Sequence, residues 1–220
     1  MDPSKMTLVP YEAIHGANEP DKLSRARLEA AAVVAQFKYE PHKIADVGAF
    51  EGEFLEAFLE RFPDAQGLWT DPVDVTQAVA RKRLARFGSR VTYKISCKER
   101  DISDGCIPKD TDIILSSWVT MHQEIQGIAT FDAEAYNQLP SGGFLIVLDH
   151  IGFAPGSPWE APLKAAKAEF HAKTEGPGPF VKTPVPTAEA QLAALKVACF
   201  DDPQIIWSDL TDAVFMARKK

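Results

Sequence analysis

Two hydrophobic rhythms alternate along the chain. Between residues 21 and 37 apolar side chains return at helical spacing, with Leu28, Ala31, Ala32 and Ala35 as the repeating set and Asp21 placed to cap the start. Lys43–Val47 reads as a short buried strand closed by Gly48. Residues 53–62 read as a helix whose Phe54, Leu55, Phe58, Leu59 and Phe62 form a broad apolar stripe, stopped by Pro63. The pattern predicts a further strand at Gly67–Thr70 and a helix over 74–87 with Arg81, Lys82, Arg83 and Arg86 on a solvated outer side. Strands at Val91–Ile95, Asp112–Ser116 and Phe144–Leu148 follow.

The last two strands contain the continuous apolar runs Ile113–Leu115 and Phe144–Leu148. A sheet with one wet face would alternate apolar and polar residues, so these runs predict strands buried on both faces, as in a parallel sheet between helix layers. Repeated strand–helix units point to a doubly wound α/β fold. The ending departs from that rhythm. A helix at 187–199 with Leu192, Leu195 and Cys199 on one face precedes strands at Gln204–Trp207 and Ala213–Ala217. The turn between them, Ser208–Asp212, is short enough to demand an antiparallel hairpin. Residues 151–186 are rich in proline and glycine around one helix (159–173), a length of irregular chain expected of a segment that covers a substrate.

Composition narrows the function classes. The 220 residues are 45% hydrophobic and 25% charged, which are values of a folded globular chain, so one large domain spanning 1–220 is expected. Lys plus Arg number 24 against 31 Asp plus Glu, a net charge of −7, which provides no general attraction for nucleic acid or an anionic membrane. Three cysteines without CxxC spacing (Cys97, Cys106 and Cys199) argue against a disulfide framework or structural zinc. They are expected to be buried small apolar residues in a reducing compartment. No signal-peptide pattern opens the chain and no apolar run approaches ~20 residues, so a cytoplasmic protein is expected.

The chemistry concentrates at Ile44-Ala45-Asp46-Val47-Gly48-Ala49-Phe50-Glu51-Gly52, where the first strand gives way to a helix. Glycines there let a backbone approach a ligand, and ligands of open α/β sheets bind beyond the carboxyl ends of the strands. The stretch lacks the second and third glycines of a dinucleotide fingerprint and the GK[ST] of a P-loop. An acidic residue followed by G-x-x-x-G remains, and it resembles the first motif of class I S-adenosylmethionine-dependent methyltransferases. The resemblance continues through Trp69-Thr70-Asp71-Pro72, Asp101-Ile102, the run Thr111–Trp118 leading to His122, Leu139-Pro140-Ser141-Gly142-Gly143, and the terminal Val214–Lys219. Phe50 departs from it, standing where the family's motif has its middle glycine.

The resemblance implies a Rossmann-like, mostly parallel seven-stranded sheet with an antiparallel C-terminal hairpin strand. It also implies S-adenosylmethionine as cofactor and methyl transfer to an oxygen or nitrogen of a small molecule. By the same resemblance Asp46, Gly48, Ala49 and Gly52 line the methionine side, Asp71 with Pro72 the ribose, and Asp101 with Ile102 the adenine, with Ser117 at the end of the fourth strand. Acceptors with a hydroxyl or protonated amine need a base, and histidine titrates near neutral pH. His122 and His150 are the candidates, because both fall near carboxyl ends of strands; His15, His42 and His171 read as surface residues. Asp149 and His150 are neighbours on a strand and point to opposite faces, so they are not an orienting pair. Tyr11, Trp118, Asp149 and Trp159 are the candidate acceptor contacts. The 1–20 and 151–186 segments, with His15 a possible contributor, are the candidate covers. Methylation of RNA or protein, and a non-catalytic cofactor-binding partner protein, are the competing readings. The oligomeric state stays open, a homodimer being one option.

Overall fold

A computed structural model describes residues 22–72, 74–95, 109–171, 185–209 and 211–220. Helix α1 (Lys22–Gln36) leads into strand β1 (Lys43–Val47), α2 (Glu53–Arg61), β2 (Gln66–Asp71) and α3 (Asp74–Arg83). A 3-10 segment (Leu84–Arg90) and β3 (Val91–Ile95) follow. Then come β4 (Ile113–Ser117), a 3-10 turn (Thr120–His122), α4 (Ile125–Gln138), β5 (Phe144–His150), α5 (Glu160–His171), α6 (Ala188–Val197), β6 (Asp201–Asp209) and β7 (Asp212–Arg218).

The seven strands form one sheet in the order β3-β2-β1-β4-β5-β7-β6. The first five are mutually parallel, and β7 runs antiparallel to both β5 and β6. Both faces are covered, as the continuous apolar runs predict. On one face Ile113, Leu115, Ile146 and Leu148 pack with Leu23, Ala30 and Val34 of α1 and Phe54 and Phe58 of α2. On the other, Ile114, Leu145 and Val147 pack with Phe131 and Ala135 of α4 and Leu195 of α6. Strand order reverses between β1 and β4, which opens a crevice at their carboxyl ends, and the candidate motif lies there.

Three expectations change. Helix α1 buries Leu23, Ala26, Arg27, Ala30, Ala31 and Val34, whereas Leu28 is 52% exposed. Arg27, only 2% exposed, lies over the Trp118 ring at 5.9 Å, so an interior arginine marks the buried stripe that the sequence pattern assigns to apolar residues alone. The terminal hairpin is longer than expected: its pairing runs on to Asp209 opposite Asp212. Because β6 is an edge strand, exposed Asp201, Asp202 and Ser208 belong to it without penalty. Finally, α3 ends at Arg83, and the chain continues as a 3-10 segment in which Gly88 takes a non-helical φ of 57°.

Candidate active site

The turn from β1 into α2 is built on an alternation of left-handed residues, with φ of 68° at Gly48, 45° at Phe50 and 84° at Gly52. Its amides are spent internally. Gly48 and Ala49 N–H both donate to the Thr70 carbonyl (2.9 and 3.1 Å), and Gly52 N–H donates to the Ala49 carbonyl (2.7 Å). Phe50 is held from both sides: its N–H donates to Asp71 Oδ2 (2.9 Å) and its carbonyl accepts from Trp69 Nε1 (2.9 Å). These bonds sustain a left-handed phenylalanine that would otherwise cost about 1–2 kcal/mol. Packing also requires both glycines. A Cβ on Gly48 would stand 2.1 Å from Val119 Cγ2, and one on Gly52 would stand 2.9 Å from Leu84 Cδ1.

Asp46 lies beneath this turn with no exposed surface, and its Oδ2 accepts from Leu55 N–H (3.1 Å) in the first turn of α2. A strand carboxyl thus satisfies a helix N-terminus that its own cap residue, Gly52, leaves without a side-chain acceptor. Burial pushes the Asp46 carboxyl up to about 7, with the Leu55 N–H opposing the rise and Glu53 adding to it. The side chain supports the loop from below and lines nothing on the open side. Asp71, 5% exposed, ends β2 beside the crevice. Across the reversal, Ser117 ends β4 with a buried hydroxyl that has no hydrogen-bond partner among the described residues; the Trp118 indole N–H is in the same state.

Beyond β4 the chain turns sharply at Trp118, whose φ of 53° is left-handed and whose N–H donates to the Leu148 carbonyl (2.9 Å). Asp149 organises this turn and does not face an acceptor. It is completely buried; its Oδ2 accepts from the Thr120 hydroxyl and from Met121 N–H (3.0 Å), while Oδ1 accepts from His150 N–H (2.7 Å). Burial raises its pKa against the pull of those donors. His150 points to the other face, as the strand period requires. There its Nδ1 meets Asp212 Oδ1 in a direct hydrogen bond, and its ring lies 6.3 Å from the Trp118 ring at 37°. Sequence reasoning missed Asp212, which lies 62 residues away and reaches His150 through the β5–β7 register. The expected hairpin fixes only the pairing of the last two strands, so nothing in the sequence signalled this contact.

The remaining candidates scatter. Trp159 is 68% exposed at the foot of α5 and walls no site among the described residues. Tyr11, His15, Asp101, Ile102, Cys97 and Cys106 lie outside the described residues, and so does the His122 side chain. His42 is exposed, as expected. The basic cluster is not a free solvated face. Arg83 pairs with Glu51, Glu53 and Glu56 at 3.3–3.4 Å, Arg86 pairs with Glu56 and Glu60, and Arg81 sits 4.1 Å over the Tyr93 ring. Cys199 is exposed rather than buried, because a left-handed turn (φ 74°) after α6 sends Phe200 inward instead.

Three solved structures show the same fold. The S-adenosylmethionine-dependent methyltransferase SibL, in its apo form, superposes with a TM-score of 0.65 at 20% identity over 90% of this chain and 55% of its own. An O-methyltransferase family protein from Burkholderia thailandensis gives 0.66 at 15% identity over 91% and 58%. Human N-acetylserotonin methyltransferase, solved with S-adenosylmethionine, gives 0.61 at 15% identity over 90% and 52%. The chain thus spans little more than half the length of these structures. No curated protein matches it. The sequence model of the O-methyltransferase domain matches residues 20–176, and the protein belongs to that family.

Proposed function

We propose that the protein transfers a methyl group from S-adenosylmethionine to an oxygen of a small molecule. The observation that carries this reading is the β1/β4 strand-order reversal, the position at which open α/β sheets bind ligands. It is bounded by the pinned 48–52 turn, by the Asp71 carboxyl and by the buried, unpartnered Ser117 hydroxyl. A carboxylate at the end of β2 suits vicinal ribose hydroxyls, and an unpaired buried hydroxyl is a cost that a polar ligand would relieve. The residues present therefore fit the cofactor, whose sulfonium supplies an activated methyl.

This chain's own contribution is positioning and proton handling. Asp71, Ser117 and the 48–52 turn would hold the cofactor, while Asp46 stiffens the turn from below. Alignment of acceptor oxygen, methyl carbon and sulfur is worth about 7–11 kcal/mol when achieved. His150, on the carboxyl edge of β5 against Trp118, would take the acceptor's hydroxyl proton at Nε2, a contribution of roughly 100- to 10,000-fold. His150 would hold that proton while the acceptor oxygen takes the methyl group that the cofactor, when bound, would supply. A small-molecule acceptor is favoured over RNA because Arg83 and Arg86 are already committed to α2 glutamates.

Calorimetric titration with S-adenosylmethionine tests the first step. Asp71→Asn keeps one acceptor for Phe50 N–H and exchanges the other oxygen for a donor. Micromolar binding to the parent protein, weakened at least tenfold in the variant with unchanged thermal stability, is expected. Absence of any binding to folded parent protein would overturn the cofactor assignment.

A further inference from the structure

We infer that Trp69 is a positioning residue that takes the place of the missing middle glycine. Its indole N–H holds the Phe50 carbonyl and so keeps Phe50 left-handed, with its N–H aimed at the Asp71 carboxylate that would meet the cofactor ribose. The role toward the cofactor rests on the assignment of S-adenosylmethionine to this site.

Residue 50 belongs to two peptide planes. Its N–H orients the plane shared with Ala49 and its carbonyl the plane shared with Glu51, and the rotation between those planes is its φ and ψ. Strand β2 grips both. Asp71 Oδ2 accepts from the N–H at 2.9 Å, and Trp69 Nε1 donates to the carbonyl at 2.9 Å. Residues two apart on a strand share a face, so one rigid element supplies both grips. Thr70, between them, clamps the Gly48 and Ala49 amides through its carbonyl. The outcome is a phenylalanine at a φ of 45°, a conformation that glycine adopts unaided and a bulky side chain does not. With its carbonyl released, Phe50 would be left with the Asp71 bond against return to negative φ, and the same bond orients the Asp71 carboxylate.

Core filling explains Trp69 less completely. The side chain is fully buried and its ring lies 6.0 Å from Tyr93 at 45°, a contact that another large aromatic could make. An indole adds a polar N–H that needs a partner when buried. Here the partner is the one non-glycine residue of the 48–52 turn that stands left-handed. If Trp69 only filled space, losing the N–H would cost the same whatever stands at 50. If it positions Phe50, glycine at 50 makes the N–H dispensable.

Trp69→Phe keeps an aromatic ring and removes the N–H. Amide hydrogen exchange of ¹⁵N-phenylalanine-labelled protein reads the turn without ligand. In the variant the Phe50 N–H should exchange at least tenfold faster relative to Phe58 of α2 and Phe144 of β5, whose own rates correct for general loosening. Calorimetry with S-adenosylmethionine should show binding to Trp69→Phe at least tenfold weaker than to the parent. Adding the same substitution to Phe50→Gly should weaken binding less than threefold. Urea midpoints of the four proteins should show the same rescue, which also covers a Trp69→Phe variant that folds poorly on its own. An unchanged relative exchange rate at Phe50, or an equal loss with phenylalanine and with glycine at 50, overturns the inference. No binding of S-adenosylmethionine to the folded parent overturns the cofactor reading instead, and the exchange rates and urea midpoints still decide whether Trp69 holds Phe50.

Discussion

Gly48→Ala isolates the geometry on which the candidate site is built. Two costs add. Alanine at a φ of 68° pays about 1–2 kcal/mol for the left-handed backbone. Its Cβ would also sit 2.1 Å from Val119 Cγ2, well inside the ~3.5–4.0 Å of an ordinary carbon contact. Relieving that overlap by moving Val119 or the turn after β4 costs about 1–3 kcal/mol more. The total of about 2–5 kcal/mol is a large share of the roughly 5–15 kcal/mol that stabilises a typical domain. Val119→Ala separates the two costs. With both γ-methyls gone, the nearest remaining atoms to the new Cβ are Val119 Cβ at 3.6 Å and the Ser117 carbonyl at 4.0 Å, which are ordinary contacts. The double variant should therefore retain only the backbone cost. Urea unfolding of the parent, both single variants and the double variant gives the coupling energy, expected at about 1–3 kcal/mol in favour of the pair. Additivity within about 0.5 kcal/mol, or a Gly48→Ala variant as stable as the parent, would refute the packing argument.

Two further outcomes follow from buried charge. Asp132 of α4 is 2% exposed, its Oδ2 has no hydrogen-bond partner among the described residues, and burial pushes its carboxyl up to about 8. Between an unfolded value near 4 and that folded value, the unfolded chain binds fewer protons than the native one, so this group removes stability as pH rises through the window. Asp132→Leu should therefore gain more stability over the parent at pH 7.5 than at pH 5 by urea unfolding, and an equal difference at both would contradict the assignment. Arg90 donates to the carbonyls of Leu59, Phe62 and Ala65 at 2.8–3.1 Å, which closes the end of α2. Arg90→Ala should cost roughly 2–4 kcal/mol at the urea midpoint, and a loss below about 0.5 kcal/mol would show those bonds to be replaced by water.

Sequence alone determined the layered α/β plan, because a strand buried on both faces needs apolar residues at consecutive positions, and Ile113–Leu115 and Phe144–Leu148 supply them. The 44–52 turn was equally legible, since few residue types tolerate left-handed backbone and the spacing of Gly48 and Gly52 records where it occurs. The tertiary structure decided what those residues touch. It turned Asp149 inward to the Thr120 turn and gave Phe50 the partners that hold it in a glycine conformation. It also buried Arg27 against Trp118 and brought Asp212 to His150. Each of these depends on register across the sheet or on packing between layers, and a local pattern of period 2 or 3.6 carries no information about which distant residue arrives at the same point. Backbone conformation is a local preference and shows in the sequence; the company a polar side chain keeps is a long-range one, and only the folded chain sets it.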